Sequence, residues 1–301
     1  MKTIIVGLGN QGNKRKKILI DKCVATVDPF VKKADYKNIK DVPEEIYDAV
    51  LVCTPDELKF KTIKYFITNK KHVLVEKPLF FNTSKKINIL QKLANKNKVV
   101  LYTAYNHRFE PHFRRLKKLI DSKKLGKIYS CRLFYGNGTA QQVRKDKWRD
   151  RGSGVIKDLG SHLLDTYNFF FNNFEDFELT SYNCFENRAP DHAVFKSKKK
   201  FPLIQLEMTF CMWKNFFSCD ILAEKGTAHI FSLCKWGPSK FVQRTRRSPY
   251  SKPYEKQKIL IQKDPTWKNE YKHFKSLVKN KKKNILQKDI WINNQLLKFK
   301  K

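Results

Sequence analysis

Asp158, His162 and Asp165 stand at i, i+4 and i+7, so a helix through them carries two carboxylates and an imidazole on one face. An unperturbed imidazole titrates near about 6.5, which suits a general base at neutral pH, and a carboxylate beside it orients the ring and favours its protonated form. The same spacing also describes a solvated helix face around a structural histidine. Gly152-Ser153-Gly154 precede the run, a turn that lets the backbone approach a ligand before the helix begins. Lys77 is the second candidate. It ends the apolar run His72-Val73-Leu74-Val75-Glu76 and precedes Pro78, which stiffens the turn. Most lysines of such a chain are surface solvators, and Lys77 differs in this position.

The elements that must position these groups start at Thr3-Ile4-Ile5-Val6, an apolar run that empties into Gly7-Leu8-Gly9-Asn10-Gln11-Gly12. In this GxGxxG pattern Gly7 permits a tight turn, Gly9 lets the backbone approach a pyrophosphate, and Gly12 lets the next helix pack on the strand. Asn10 and Gln11 open that helix beside the phosphates. Alone, the pattern equally marks a plain turn. Val24 to Asp28 follows as a second strand ending in an acid, where a carboxylate accepts hydrogen bonds from the adenosine ribose hydroxyls. That favours NAD. NADP stays open through Lys32 and Lys33, and Asp28-Pro29 also reads as a turn start. Asp48 to Cys53 is a buried-type strand ending at Thr54-Pro55; helical spacing runs from Lys59 to Asn69, Thr83 caps a helix with Ile87, Leu90, Leu93 and Ala94 inward, and Val99 to Thr103 is a further strand. Strands alternating with helices predict a parallel, doubly wound sheet. Its ligand end is where Thr54-Pro55, Glu76-Lys77-Pro78 and Tyr105-Asn106-His107-Arg108 fall.

Taken together, GLGNQG at Gly7 to Gly12, VEKP at Val75 to Pro78, YNHRF at Tyr105 to Phe109 and WRDRGSGVIKDLGSHLLD at Trp148 to Asp165 resemble the Gfo/Idh/MocA family of NAD(P)-dependent sugar and polyol oxidoreductases. The resemblance implies a metal-free site in which His162 exchanges a proton with a sugar hydroxyl and Asp158 tunes it. Lys77 would lie near the nicotinamide and substrate, Glu76 would touch the nicotinamide ribose, and Asn106 and Arg108 would shape the nicotinamide and substrate side. His107 reads as local packing. The chain departs from the family pattern at Lys59, where a histidine is usual, at Ser153, which replaces the middle glycine of a triple, and in a short spacer after Gly12 that must clip the first helix.

A chain of 301 residues with 41% apolar residues supports two domains. We expect a dinucleotide-binding Rossmann domain over residues 1–122 and an α+β substrate-binding and oligomerisation domain over 123–301. Strand-like runs at 127–134, 193–196, 203–210, 217–222 and 226–231 predict a large, mainly antiparallel, open-faced sheet, closed by helices over 267–283 and 285–298. The resemblance implies that the open face makes the contacts of a homodimer or homotetramer.

The net charge of +35 is spread over the whole chain without a nucleic-acid motif, so specific nucleic-acid binding is not expected. No apolar run suits a bilayer and no leader is evident, which points to the cytoplasm. The seven cysteines lack a CxxC pair and read as reduced, buried small hydrophobes, with neither a disulfide frame nor a zinc site. Arg144, Lys145, Lys147, Arg149 and Arg151, and later Arg244, Arg246 and Arg247, are either solvated loop charges or the marks of an acidic substrate such as a nucleotide-linked sugar. Arg108, Arg149, Arg151 and Asp165 are the substrate-side candidates. Reduction of a C=N or C=C bond, and a non-catalytic dinucleotide sensor or scaffold, are the alternative functions.

Overall fold

A sheet whose strands are apolar at every position must be covered on both faces, and the first strands of this chain obey that rule. The computed structural model describes residues 1–145, 150–248 and 251–299. The first unit comprises Met1–Asn106 and Trp267–Asn294. It contains β1 (Thr3–Val6), α1 (Asn10–Leu19), β2 (Cys23–Val27), β3 (Ala49–Val52), α2 (Asp56–Thr68), β4 (His72–Glu76), α3 (Lys85–Lys96) and β5 (Leu101–Ala104). The strands run β2-β1-β3-β4-β5 with every pairing parallel. Val50, Val52, Val73 and Val75 point to one side, against Ile63, Phe66 and Ile67 of α2 and Ile87, Leu90 and Ala94 of α3. Ile5, Ala49, Leu51 and Leu74 point to the other, against Leu19 of α1 and against Tyr271 and Phe274. Full burial of each such side chain contributes about 1.5–3 kcal/mol. As the short spacer requires, α1 stops at Leu19 and a single 3-10 turn, Ile20–Lys22, leads into β2.

The second unit comprises His107–Thr266 and the chain from Gln295. Its elements are α4 (Pro111–Asp121), β6 (Ile128–Gly136), α5 (Ala140–Lys145), a π-helical turn at Ile156–Gly160, α6 (Ser161–Phe171), β7 (Phe177–Asn183), β8 (His192–Ser197), β9 (Leu203–Thr209), β10 (Phe216–Ala223), β11 (Gly226–Phe231), β12 (Ser239–Thr245) and β13 (Tyr254–Leu260). The eight strands run β13-β12-β11-β10-β6-β9-β8-β7, antiparallel except for the β6/β9 pair. Alternate residues such as Leu133, Phe195, Leu206, Phe217 and Ile221 are fully buried, whereas Tyr129, Leu203, Leu222 and Phe231 are exposed. Phe113 of α4 packs on Phe170 of α6 and Phe217 of β10, so both helices share the buried face. The chain ends with α7 (Thr266–Lys279) and α8 (Gln287–Lys298).

Three features differ from the sequence reading. The expected boundary at residue 122 falls at residue 106, because α4 packs on α6, β11 and β12, while Trp267–Asn294 returns to the first unit through Tyr271 and Phe274. The second sheet also has β7, β12 and β13, which were not expected; β12 and β13 are rich in charged and polar residues. All seven cysteines are free, but only Cys131, Cys219 and Cys234 are buried, and Cys184, just after the outermost strand β7, is exposed. Among the described residues no helix is long and apolar enough to cross a membrane.

Candidate active-site residues

In the first unit the glycine turn is fixed by backbone contacts. A Cβ on Gly7, whose φ is +93°, would stand 2.7 Å from the Cys53 carbonyl oxygen, and one on Gly12 would stand 1.9 Å from the Gly7 carbonyl oxygen. Gly9 is different: a Cβ there would meet nothing within 4 Å, so its missing side chain leaves open space. Asn10, Gln11 and Gly12 open α1, whose start has no side-chain cap and no acid in the first turn. Its first N–H groups and positive dipole end thus lack an internal side-chain counterpart, the arrangement that favours an anion. Asp28 joins this turn directly. Its Oδ2 accepts from the Leu8 N–H at 2.8 Å, and its Oδ1 accepts from Phe30 and Val31 at 2.9 and 3.1 Å. Burial would raise its pKa, but these backbone donors outweigh burial and hold the carboxyl below its ordinary value, so it is ionised at neutral pH. At the end of β3 the Thr54 hydroxyl is buried without a hydrogen-bond partner among the described residues, and Pro55 is the N-cap of α2.

The turn after β4 is held by two buried cations. Arg15 Nε donates to Glu76 Oε1 at 2.7 Å. Arg15 Nη1 lies 2.6 Å from Glu270 Oε2, an ion pair without hydrogen-bond alignment, and the guanidinium stacks 4.3 Å above the Trp267 ring. Burial opposes the charge on Arg15, but the two carboxylates overcome it and raise its pKa. The carboxylate that the resemblance assigns to the nicotinamide ribose thus has a partner inside the protein. Lys59 binds the backbone on either side of Lys77, which is itself half-buried, and Asn106 is buried at the end of this unit.

In the second unit Asp158, His162 and Asp165 do not lie on one uninterrupted α-helix. Asp158 lies in the π-helical turn and the other two in α6, so the i, i+4, i+7 register changes partway. Asp165 is 1% exposed and its Oδ2 accepts from Arg108 Nε at 2.8 Å, so these two substrate-side candidates are paired with each other. Gly154 has φ of +44° and a Cβ there would stand 2.2 Å from the Pro190 carbonyl oxygen, so this glycine is demanded by packing, while Ser153 is accommodated. Arg151 is exposed; Arg149, with Lys147 and Trp148, lies outside the described residues. Arg244 bridges β12 to β13 through Glu255 at 2.7 Å, a structural pairing, whereas Arg246 and Arg247 are exposed.

Sequence reasoning missed the surroundings of His162. The His107 ring stacks on it with centroids 4.2 Å apart and planes 19° apart, and Tyr135 meets it edge-on at 5.8 Å. Lys235 Nζ lies 3.2 Å from His107 Nε2 and over the Trp236 ring at 4.4 Å. An ammonium only donates, so His107 Nε2 accepts and its proton belongs on Nδ1. The only sequence signal was the position of His107 between Asn106 and Arg108; nothing marked Lys235. Among the described residues no group of three or more His, Cys, Asp or Glu could hold a metal ion.

A parallel nucleotide-binding type of sheet, with an eight-stranded open sheet as a separate unit, defines the class. The chain belongs to the Gfo/Idh/MocA family: residues 1–105 match its oxidoreductase, NAD-binding Rossmann-fold profile and residues 113–229 match its C-terminal domain profile. It is 29% identical over 152 residues to glucose-6-phosphate 3-dehydrogenase of Bacillus subtilis, a stretch covering 48% of this chain and 43% of that protein. It is 28% identical over 122 residues to inositol 2-dehydrogenase of Rhizobium meliloti, covering 40% of this chain and 36% of that one. The matched stretches thus span less than half of either relative. The fold resembles UDP-N-acetylglucosamine 3-dehydrogenase of Acidithiobacillus ferrooxidans, with a TM-score of 0.79 at 14% identity over 99% of this chain and 96% of that one. It also resembles an oxidoreductase of Agrobacterium radiobacter solved with NAD+, L-tartaric acid and magnesium, with a TM-score of 0.79 at 13% identity over 98% and 94% of the two chains.

Proposed function

We propose that the chain is an NAD-dependent oxidoreductase that moves a hydride between nicotinamide and a hydroxyl-bearing carbon of a sugar or sugar derivative. The observation that carries this reading is the ionised Asp28 bonded to the Leu8 N–H within the glycine turn. A carboxylate there suits ribose hydroxyls and repels a 2′-phosphate, so NADP would depend on the exposed Lys32 or Lys33. Gly7, Gly9, Asn10, Gln11, Gly12, Thr54, Pro55, Glu76 and Asn106 are the residues that hold the dinucleotide, and the open side of Gly9 and the buried Thr54 hydroxyl fit such a ligand. When bound, the cofactor accepts or returns the hydride.

The chain's own groups handle the proton and the charge. His162 takes the proton of the sugar hydroxyl as general base and returns it in the reverse direction, with Asp158 tuning the imidazole. Lys77 stabilises the oxygen as charge develops. Arg108 stands on the substrate side with its guanidinium fixed by Asp165, and Arg149 and Arg151 favour an anionic substrate. The sugar and polyol names of the relatives support the substrate class.

Titration with NADH and NADPH at moderate salt, followed by quenching of tryptophan fluorescence, tests the reading. NADH is expected to saturate and to bind more tightly. Turnover is then sought with myo-inositol, glucose 6-phosphate and UDP-N-acetylglucosamine, using His162→Ala as the inactive control. Absence of binding by either cofactor would remove the basis of the redox reading, and binding without turnover on any sugar would favour the sensor.

The same reading includes a homo-oligomer formed through the open sheet, supported by the exposed Tyr129, Leu203, Leu222 and Phe231, and checked by sedimentation. It also includes a reducing, cytoplasmic setting, supported by seven free thiols.

A further inference from the structure

We propose that Lys59 is a positioning residue for Lys77, clamping the turn that carries it from both sides. Lys59 Nζ donates to the Glu76 carbonyl oxygen at 2.8 Å and to the Pro78 carbonyl oxygen at 2.8 Å. It also pairs with Asp56 Oδ1 at 2.7 Å. An ammonium has three donors and no acceptor, and here each donor has its own oxygen. The two carbonyls belong to the residues immediately before and after Lys77. Rotation of the Lys77 backbone therefore breaks at least one of these bonds.

The clamp is anchored in the buried core of the unit. Lys59 is 3% exposed and sits on α2, whose Ile63, Phe66 and Ile67 are wholly buried. A lysine is buried this deeply only when its charge is paired and its donors are used. A space-filling role would be met at lower cost by an apolar side chain, which could not grip two carbonyls. Asp56 also pairs with Lys59, so the clamp brings its own counter-charge to the turn.

This inference rests on the reading that Lys77 stabilises the substrate oxygen, and two measurements separate the two claims. The first is amide hydrogen exchange of the ligand-free chain, read on peptides covering residues 76–84. Lys59→Met is expected to speed exchange at Lys77, Leu79 and Phe80 by about tenfold or more, with Lys59→Arg staying near wild type. Unchanged exchange in Lys59→Met overturns the clamp. The second is a double-mutant cycle on kcat, with NAD+ and whichever of the three probe sugars is turned over. Lys59→Met is expected to lower kcat, read at saturating NAD+, by about 10²-fold, as a small misplacement of a catalytic group does. In a Lys77→Ala background the same change should cost less than about twofold. Equal losses in both backgrounds overturn action through Lys77. Full activity of Lys77→Ala overturns the catalytic reading of Lys77 itself, while the exchange result still decides whether Lys59 holds the turn. Lys59→Gln carries both comparisons if Lys59→Met does not fold.

Discussion

Arg15 Nε and Glu76 Oε1 meet at 2.7 Å across 61 positions of sequence, with the arginine side chain 1% exposed. The pair joins the helix after the glycine turn to the strand that ends beside Lys77, so the two halves of the expected dinucleotide region are linked by charge. Removing the cation takes from the buried Glu76 and Glu270 the guanidinium that pairs with both. Arg15→Met is expected to destabilise the protein by about 3–5 kcal/mol, measured by urea unfolding. A change within error would mean that the carboxylates find other partners.

Gly9 and Gly12 should separate binding from folding. At Gly12 an added methyl collides with the Gly7 backbone, so Gly12→Ala is expected to destabilise by at least about 1–3 kcal/mol. At Gly9 the methyl enters open space, so Gly9→Ala should keep its unfolding midpoint yet bind NADH at least about tenfold more weakly, because it fills room needed by the pyrophosphate. Thermal unfolding and fluorescence titration of both variants check the contrast.

Asp28→Ser removes the negative charge at the turn while keeping a short hydrogen-bonding side chain. The NADH-to-NADPH affinity ratio should fall by about tenfold or more, since repulsion of a 2′-phosphate is lost. An unchanged ratio would show that Asp28 serves only Leu8, Phe30 and Val31.

Glu110 gives a pH signature. Burial raises its carboxyl to about 7, only partly offset by the Cys234 N–H and by Lys235, and Asp264 raises it further. The folded state therefore binds the proton more tightly than the unfolded state, whose carboxyl titrates at 4.5. Stability from this group is complete below pH 4.5 and is lost as pH rises through 7, by about 3 kcal/mol over that window. Glu110→Gln, compared with wild type by urea unfolding between these limits, should remove that slope.

His107→Ala deletes the ring stacked on His162 and leaves Lys235 without its imidazole acceptor. Turnover should fall by about tenfold or more through misplacement of His162, with NADH affinity unchanged. Equal turnover would return His107 to simple packing.

The first sheet and its glycine turn were legible in sequence because β-branched runs, glycines and an acid report local backbone requirements directly. Asp28 is a case in which strand ending and charge sufficed to put it at the turn. Lys59 and His107 were not legible, because their significance lies in partners distant in sequence. Lys59 read as a departure from the family pattern, yet its ammonium reaches the carbonyls of Glu76 and Pro78. The strand β13 was hidden for a different reason: Tyr254 to Leu260 is mostly exposed at the sheet edge, so burial imposed no alternation on it. The π-helical turn at Ile156–Gly160 was likewise invisible, since counting in fours assumes an unbroken α-helix.

Because Trp267–Asn294 completes the first unit, residues 1–106 are made well before their unit can be finished. On the ribosome, Met1–Asn106 emerges with Arg15 still lacking Glu270 and with Ile5 and Leu51 still lacking Tyr271 and Phe274. The nascent chain must carry a sheet face covered on this side by α1 but not yet by α7 through the synthesis of the second unit. A ribosome that stalls before Trp267 therefore releases a protein whose nucleotide-binding half is unfinished, even though every glycine and acid of its turn has already been translated.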